Sequence, residues 1–216
     1  MIGAERFRSA YRQAARDVLR FVTRERQEVL ARHNLGLHPD HTDLRTYLEA
    51  SERRYVRIVE HFDALKRPGT QPSVLDVGGF LGALPLALRR CGLEVTLVEE
   101  YSYYHGAFDD LRDYLTAEGV WIWAADFTEP LSEPPTRRYE LVTNLAMLEH
   151  LPSSPKVLLE NLRGLTSTEG LLFVDVPNLA FWPNRLRLLR GRSIHQPLEF
   201  MYHSTCLLYT SDAADD

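Results

Sequence analysis

The chain has 216 residues, of which 44% are hydrophobic, with 25 basic against 30 acidic side chains and a formal net charge of −5. That length suits one α/β domain with a modest helical extension, and the composition is that of a globule able to bury a core. No face is basic enough to argue for nucleic acid, no apolar run is long enough to span a bilayer, and the N-terminus turns polar at once without a signal-peptide core.

Only two cysteines occur, Cys91 and Cys206. They supply neither a metal framework nor a disulfide scaffold, so a reducing cytoplasmic setting is expected. From Ala4 to His33 the residues Phe7, Tyr11, Ala14, Val18, Phe21, Val22 and Val29 fall near a 3.6-residue period, which predicts a helix. Asn34-Leu35-Gly36 is its stop signal. The loop His38-Pro39-Asp40-His41 has the spacing of a metal pair, but without cysteine or a third ligand nearby no metal is expected. A second helical stretch runs from Thr42 to Lys66, broken near Ser51, with Leu44, Leu48, Tyr55, Val59 and Phe62 as its stripe. Glu52-Arg53-Arg54 reads as a solvated face. These helices either cap a substrate or pack on a sheet edge. Arg67 to Pro72 is a linker.

The chemistry begins at Ser73-Val74-Leu75-Asp76-Val77-Gly78-Gly79-Phe80-Leu81-Gly82. An apolar run ends in an acid, then a glycine-rich turn, then a helical run from Ala83 to Arg90. That is the opening strand–loop–helix unit of a doubly wound fold, with a small-molecule crevice above the strand's carboxyl end. About 20 residues on, Glu94 to Val98 reads as a second strand ending in Glu99, placed to hold a ribose diol. A third strand, Val120 to Ala124, ends near Asp126 and Phe127. There a carboxylate can accept from an adenine amine while the ring covers the base. A tight turn that binds nothing, and a surface carboxylate without a role, are the plain alternatives for each feature alone. Three acids at successive strand ends, one for each part of a nucleoside, make accident the weaker account.

Phe108, Leu111, Tyr114 and Leu115 form a helix stripe, and Trp121 and Trp123 are expected in the core. Tyr139 to Leu145 is the fourth strand, followed by Leu148-Glu149-His150. Val157, Leu158, Leu162 and Leu165 face inward from the next helix. The fifth strand follows Thr168-Glu169-Gly170 and ends at Pro177-Asn178. Phe181 to Arg192 is basic, aromatic and helical: a membrane-surface helix, a lid, or plain packing.

From Ser73 to Asn178 the chain resembles the class I S-adenosylmethionine-dependent methyltransferases of the small-molecule group. Val-Leu-Asp-Val-Gly-Gly-Phe-Leu-Gly, Val-Thr-Leu-Val-Glu, Ala-Asp-Phe, the Leu-Glu-His after the fourth strand and the Pro-Asn after the fifth carry the likeness. It implies a Rossmann-like, doubly wound, mostly parallel sheet with helices on both faces and an N-terminal helical extension. The implied layout is an extension over 1–70, a methyltransferase domain over 71–205, and a non-native tail over 206–216, where Cys206 to Asp216 resembles a translated sequencing adaptor. The family has seven strands and this chain shows five, so its last strands are expected to be missing and the polypeptide poorly soluble. The implied cofactor is S-adenosylmethionine, held by Asp76, Gly78, Gly79, Gly82, Glu99, Asp126, Phe127 and Asn144. Glu149 and Asn178 would face the acceptor, and His150 is the candidate base. Where the family usually has glycine this chain has Phe80, whose side chain must point away from the cofactor. A small-molecule acceptor is expected, its reacting atom not readable from the sequence. One alternative is a nicotinamide-dependent oxidoreductase. Against it, Asp76 would repel a pyrophosphate and Gly-x-Gly-x-x-Gly is absent. A non-catalytic nucleotide-binding module is the other.

Overall fold

The apolar runs pair into a single parallel sheet. A computed structural model describes residues 1–33, 43–65, 72–131, 137–151, 154–176, 178 and 182–192. The strands are β1 (Ser73–Val77), β2 (Glu94–Val98), β3 (Trp121–Trp123), β4 (Tyr139–Leu145) and β5 (Thr166–Asp175), in the order β3-β2-β1-β4-β5. Every pairing is parallel, with Val77 opposite Val98, Asp76 opposite Thr143 and Leu145 opposite Asp175. The winding direction reverses at β1. All carboxyl ends therefore lie along one edge, with the crevice of a doubly wound fold at the β1/β4 switch. β1 is buried at all five positions, as a parallel strand covered on both faces must be.

Alternation along the strands feeds two cores. Val74, Leu141 and Leu145 face a larger core with Leu86 of α4 (Ala83–Arg90) and Leu111 of α5 (Asp109–Ala117). Leu75, Val77 and Val142 face a smaller one with Leu158 and Leu162 of α6 (Lys156–Leu165).

The N-terminal helices join the larger core. The first expected helix is two: α1 (Ala4–Val18) and α2 (Arg24–Arg32), separated by a 3-10 turn at Leu19–Phe21. The break lies at Thr23, whose hydroxyl caps α2 by accepting from Arg26 N–H. Conversely α3 (Leu44–Leu65) is unbroken. Ser51 donates its hydroxyl to the Tyr47 carbonyl at 2.9 Å and so fits inside the helix. Tyr11 ties α1 to α3 through a 2.8 Å hydrogen bond to the Leu48 carbonyl. The run Glu52-Arg53-Arg54 is solvated only at Arg53. Glu52 takes a two-pronged bond from Arg12 at 2.8 Å, and Arg54 reaches across to Asp175.

Trp121 departs from its expected core role and is 72% exposed. It shares a face with Trp123 at the sheet's edge, where α6, the helix on that side, reaches β4 and β5. Trp123 is covered by Phe127, with ring centroids 5.1 Å apart. The last described helix is α7 (Trp182–Leu189). No described helix is long and apolar enough to cross a membrane. His38, His41, all of the linker but Pro72, Pro177, Phe181 and the tail 206–216 lie outside the described residues.

Candidate active site

Beyond Val77 the chain turns through Gly78, with φ 75°, to Gly82, with φ 71°, which precedes α4. A Cβ on Gly78 would come within 2.8 Å of the Met147 sulfur. One on Gly79 would strike the Asp76 carboxylate and lie 2.7 Å from Leu97 Cδ1. Glycine is required here because the neighbouring strand tips close onto the backbone. Phe80 also adopts the left-handed conformation, φ 51°. For a non-glycine residue that costs about 1–2 kcal/mol. Its ring packs against Tyr104 and Phe108, at centroid distances of 5.8 and 5.9 Å, which offsets part of the strain.

Two carboxylates flank this turn. Asp76 is 3% exposed and accepts a 2.5 Å hydrogen bond from the Thr143 hydroxyl of β4. Burial pushes its pKa up to about 6, against the Thr143 bond and the charge of Arg54. Glu99 at the tip of β2 accepts from the Phe80 N–H at 2.7 Å and the Tyr104 hydroxyl at 3.1 Å. Burial pushes it up to about 7, and the nearby Asp76 charge adds to the rise. Two acids that resist ionisation this strongly favour a ligand bearing positive charge or hydrogen-bond donors.

On the β4 side, Asn144 is fully buried and donates to the Val77 carbonyl at 3.0 Å. Its Oδ1 is buried with no hydrogen-bond partner among the described residues. After it, Ala146 is left-handed, φ 53°, and its N–H donates to Asp175 Oδ1 at 2.8 Å. Arg54 of α3 pairs with the same carboxylate at 3.1 Å and donates to the Tyr55 hydroxyl at 3.3 Å. Glu149 is buried, and burial raises its pKa. His150 is exposed and does not line the cavity between α3 and the glycine turn, and desolvation of its ring lowers the imidazole pKa. Asn178 is exposed.

A cavity opens between α3 and the turn, lined by Tyr47, Tyr55, Asp76, Gly78, Gly79 and Leu145 among others. The fold thus brings Asp76, Gly78 and Gly79 together at the cavity, while Gly82 faces Leu115, and Glu99 joins them through Phe80. It does not bring Asp126 or Phe127 to that cavity. Asp126 Oδ1 is engaged by Thr128, from its N–H at 2.8 Å and its hydroxyl at 2.6 Å. The Phe127 ring, expected to cover a base, is 2% exposed in the smaller core. Tyr47, Arg54, Tyr55 and Thr143 are the site's neighbours that sequence reasoning missed. Thr143 meets Asp76 through strand register, which leaves no local signal. Tyr55 was read only as part of the α3 stripe, and Arg54, beside it, only as part of a solvated face.

A parallel sheet reversing at a glycine turn, with acids at the first two strand tips, defines a Rossmann-like ligand-binding unit. A family model described as a methyltransferase domain matches residues 10–208. The chain belongs to that family. No protein of curated function matches it. Among solved structures it is similar to coclaurine N-methyltransferase bound to N-methylheliamine and SAH, at 19% identity over 79% of this chain and 52% of that one, TM-score 0.47. It is similar to a protein from Galdieria sulphuraria assigned as a sarcosine dimethylglycine methyltransferase, at 15% identity over 70% and 56%, TM-score 0.45. A third is an O-methyltransferase from neocarzinostatin biosynthesis in complex with S-adenosylmethionine and 2-hydroxy-5-methyl naphthoic acid, at 19% identity over 68% and 49%, TM-score 0.35. The chain spans about half the length of each.

Proposed function

We propose that the chain is an S-adenosylmethionine-dependent methyltransferase acting on a small molecule such as a sugar, a lipid precursor or another metabolite. The observation that carries this reading is the pair Asp76 and Glu99, partly starved of counter-charge, on either side of a glycine turn in a methyltransferase-family chain. The residues fit the cofactor's polar groups. Asp76 suits an ammonium next to the turn, and Glu99 suits the diol of a ribose. The unpartnered Asn144 Oδ1 is a spare acceptor at the β4 tip. Gly78, Gly79 and Gly82 let a ligand approach the backbone. Asp126, engaged by Thr128, and Phe127, held in the smaller core, are not assigned to the cofactor.

When bound, the cofactor supplies a methyl group on a positively charged sulfur. The protein's own work is then mainly to align an acceptor and exclude water. His150, with its lowered pKa, is largely neutral near pH 7 and can take a proton from an acceptor that must lose one. Glu149 and Asn178 are the proposed acceptor contacts. The helices of 1–70 form a cap over the catalytic unit of 71–205, a layout supported by Tyr47 and Tyr55 lining the cavity.

Calorimetric titration with S-adenosylmethionine and, separately, NAD tests the assignment. Heat of binding with S-adenosylmethionine alone is expected. Binding of NAD alone would replace this reading with a dehydrogenase, and binding of neither would leave a non-catalytic module.

A further inference from the structure

The segment Trp182 to Arg192 holds four arginines and no acidic residue, a local charge of +4 in a chain whose formal net charge is −5. Within α7, Trp182, Leu186 and Leu189 stand at i, i+4 and i+7 and share one face. At about 100° per residue, Arg185 and Arg190 border that stripe on its two sides. An ordinary surface helix turns such a stripe inward. Here no described side chain of the helix is fully buried: Leu186 is half-buried, Trp182 is 67% exposed and Leu189 84%. Leu188, off the stripe, is 55% exposed as well. In chain order α7 follows β5, which ends at Asp175.

We infer that α7 is a docking surface for an anionic lipid bilayer. An exposed apolar stripe flanked by long cationic side chains matches the boundary between acyl chains and headgroups. Tryptophan and leucine enter the apolar side, and the arginines spread outward to the phosphates. A flat polyanion would use the charges but give the tryptophan and leucines no apolar partner. A second copy of this chain would bring like charges together at the same patch. The bilayer alone answers both halves of the pattern. The docking itself does not depend on methyl transfer.

The test is flotation of the full chain with phosphatidylcholine vesicles, with and without phosphatidylglycerol. Binding to the anionic vesicles is expected, weak on the zwitterionic ones and falling with added salt. An arginine near such a surface is worth roughly a fivefold change, so Arg187→Glu with Arg190→Glu should weaken binding at least about 25-fold. Leu186→Ser with Leu189→Ser should weaken it too, and thermal melting of both variants checks that the fold is kept. Absence of binding to anionic vesicles would overturn the proposal. So would binding that the leucine variant retains in full, since the surface would then read charge alone. Self-association in sedimentation velocity that Leu189→Ser abolishes, without vesicle binding, would assign the stripe to a second copy instead.

Discussion

The backbone N–H of Phe80 donates to Glu99 at 2.7 Å, so a residue forced into the left-handed region holds the carboxylate at the tip of the neighbouring strand. The contact needs the backbone of residue 80, not its side chain. Phe80→Gly should therefore preserve cofactor affinity within about threefold while shifting stability only modestly. Relief of about 1–2 kcal/mol of strain opposes the loss of ring packing on Tyr104 and Phe108. Paired titration and thermal melting check this. A loss of binding with an unchanged melting temperature would show that the ring itself takes part.

Gly79 has no such freedom. A methyl group there meets the Asp76 carboxylate and Leu97. Gly79→Ala should cost on the order of 1–3 kcal/mol in chemical denaturation and weaken the cofactor further by displacing Asp76.

The raised carboxylates set a pH dependence. In the folded chain Asp76 titrates at about 6 and Glu99 at about 7, both above their ordinary values near 4. Between about pH 4 and 7 the folded state holds protons that the unfolded chain has released, so stability falls as pH rises through that window. Melting curves should show the fall, and Asp76→Asn should flatten its lower half. Because the ionised forms suit a cationic ligand, affinity for S-adenosylmethionine should climb over the same range.

Arg54 links the N-terminal helices to this chemistry. It pairs with Asp175, which also receives the Ala146 N–H, and its charge lowers the Asp76 pKa. In a double-mutant cycle, Arg54→Ala and Asp175→Asn should show a coupling of about 1 kcal/mol in stability. Arg54→Ala should also move the affinity-versus-pH curve towards higher pH. Asp175→Asn, which removes a negative charge from the same edge, should not.

Much of the fold was legible because parallel strands carry their own signal. Val74-Leu75-Asp76-Val77, apolar except for Asp76, and Leu141-Val142-Thr143 are runs buried on both faces. The glycine turn, Asp76 and Glu99 were legible for the same reason, since strand ends locate them. The partners were not. Thr143 meets Asp76 only through register, and Arg54 meets Asp175 across 121 residues. Phe127 was misjudged because sequence places it at a strand end without saying which way the ring turns. Trp121 was misjudged because the helix on its face, α6, packs on β4 and β5 and leaves the edge strand β3 open there.

The account rests on Asp76 and Glu99 gripping a cationic adenosyl ligand, and the most direct test is the affinity of S-adenosylmethionine for the unaltered chain, Asp76→Asn and Glu99→Gln at pH 8. Each substitution should weaken binding by about tenfold or more, as loss of a charge-assisted hydrogen bond requires. Equal affinity in all three proteins, or no binding by the unaltered chain, would contradict it.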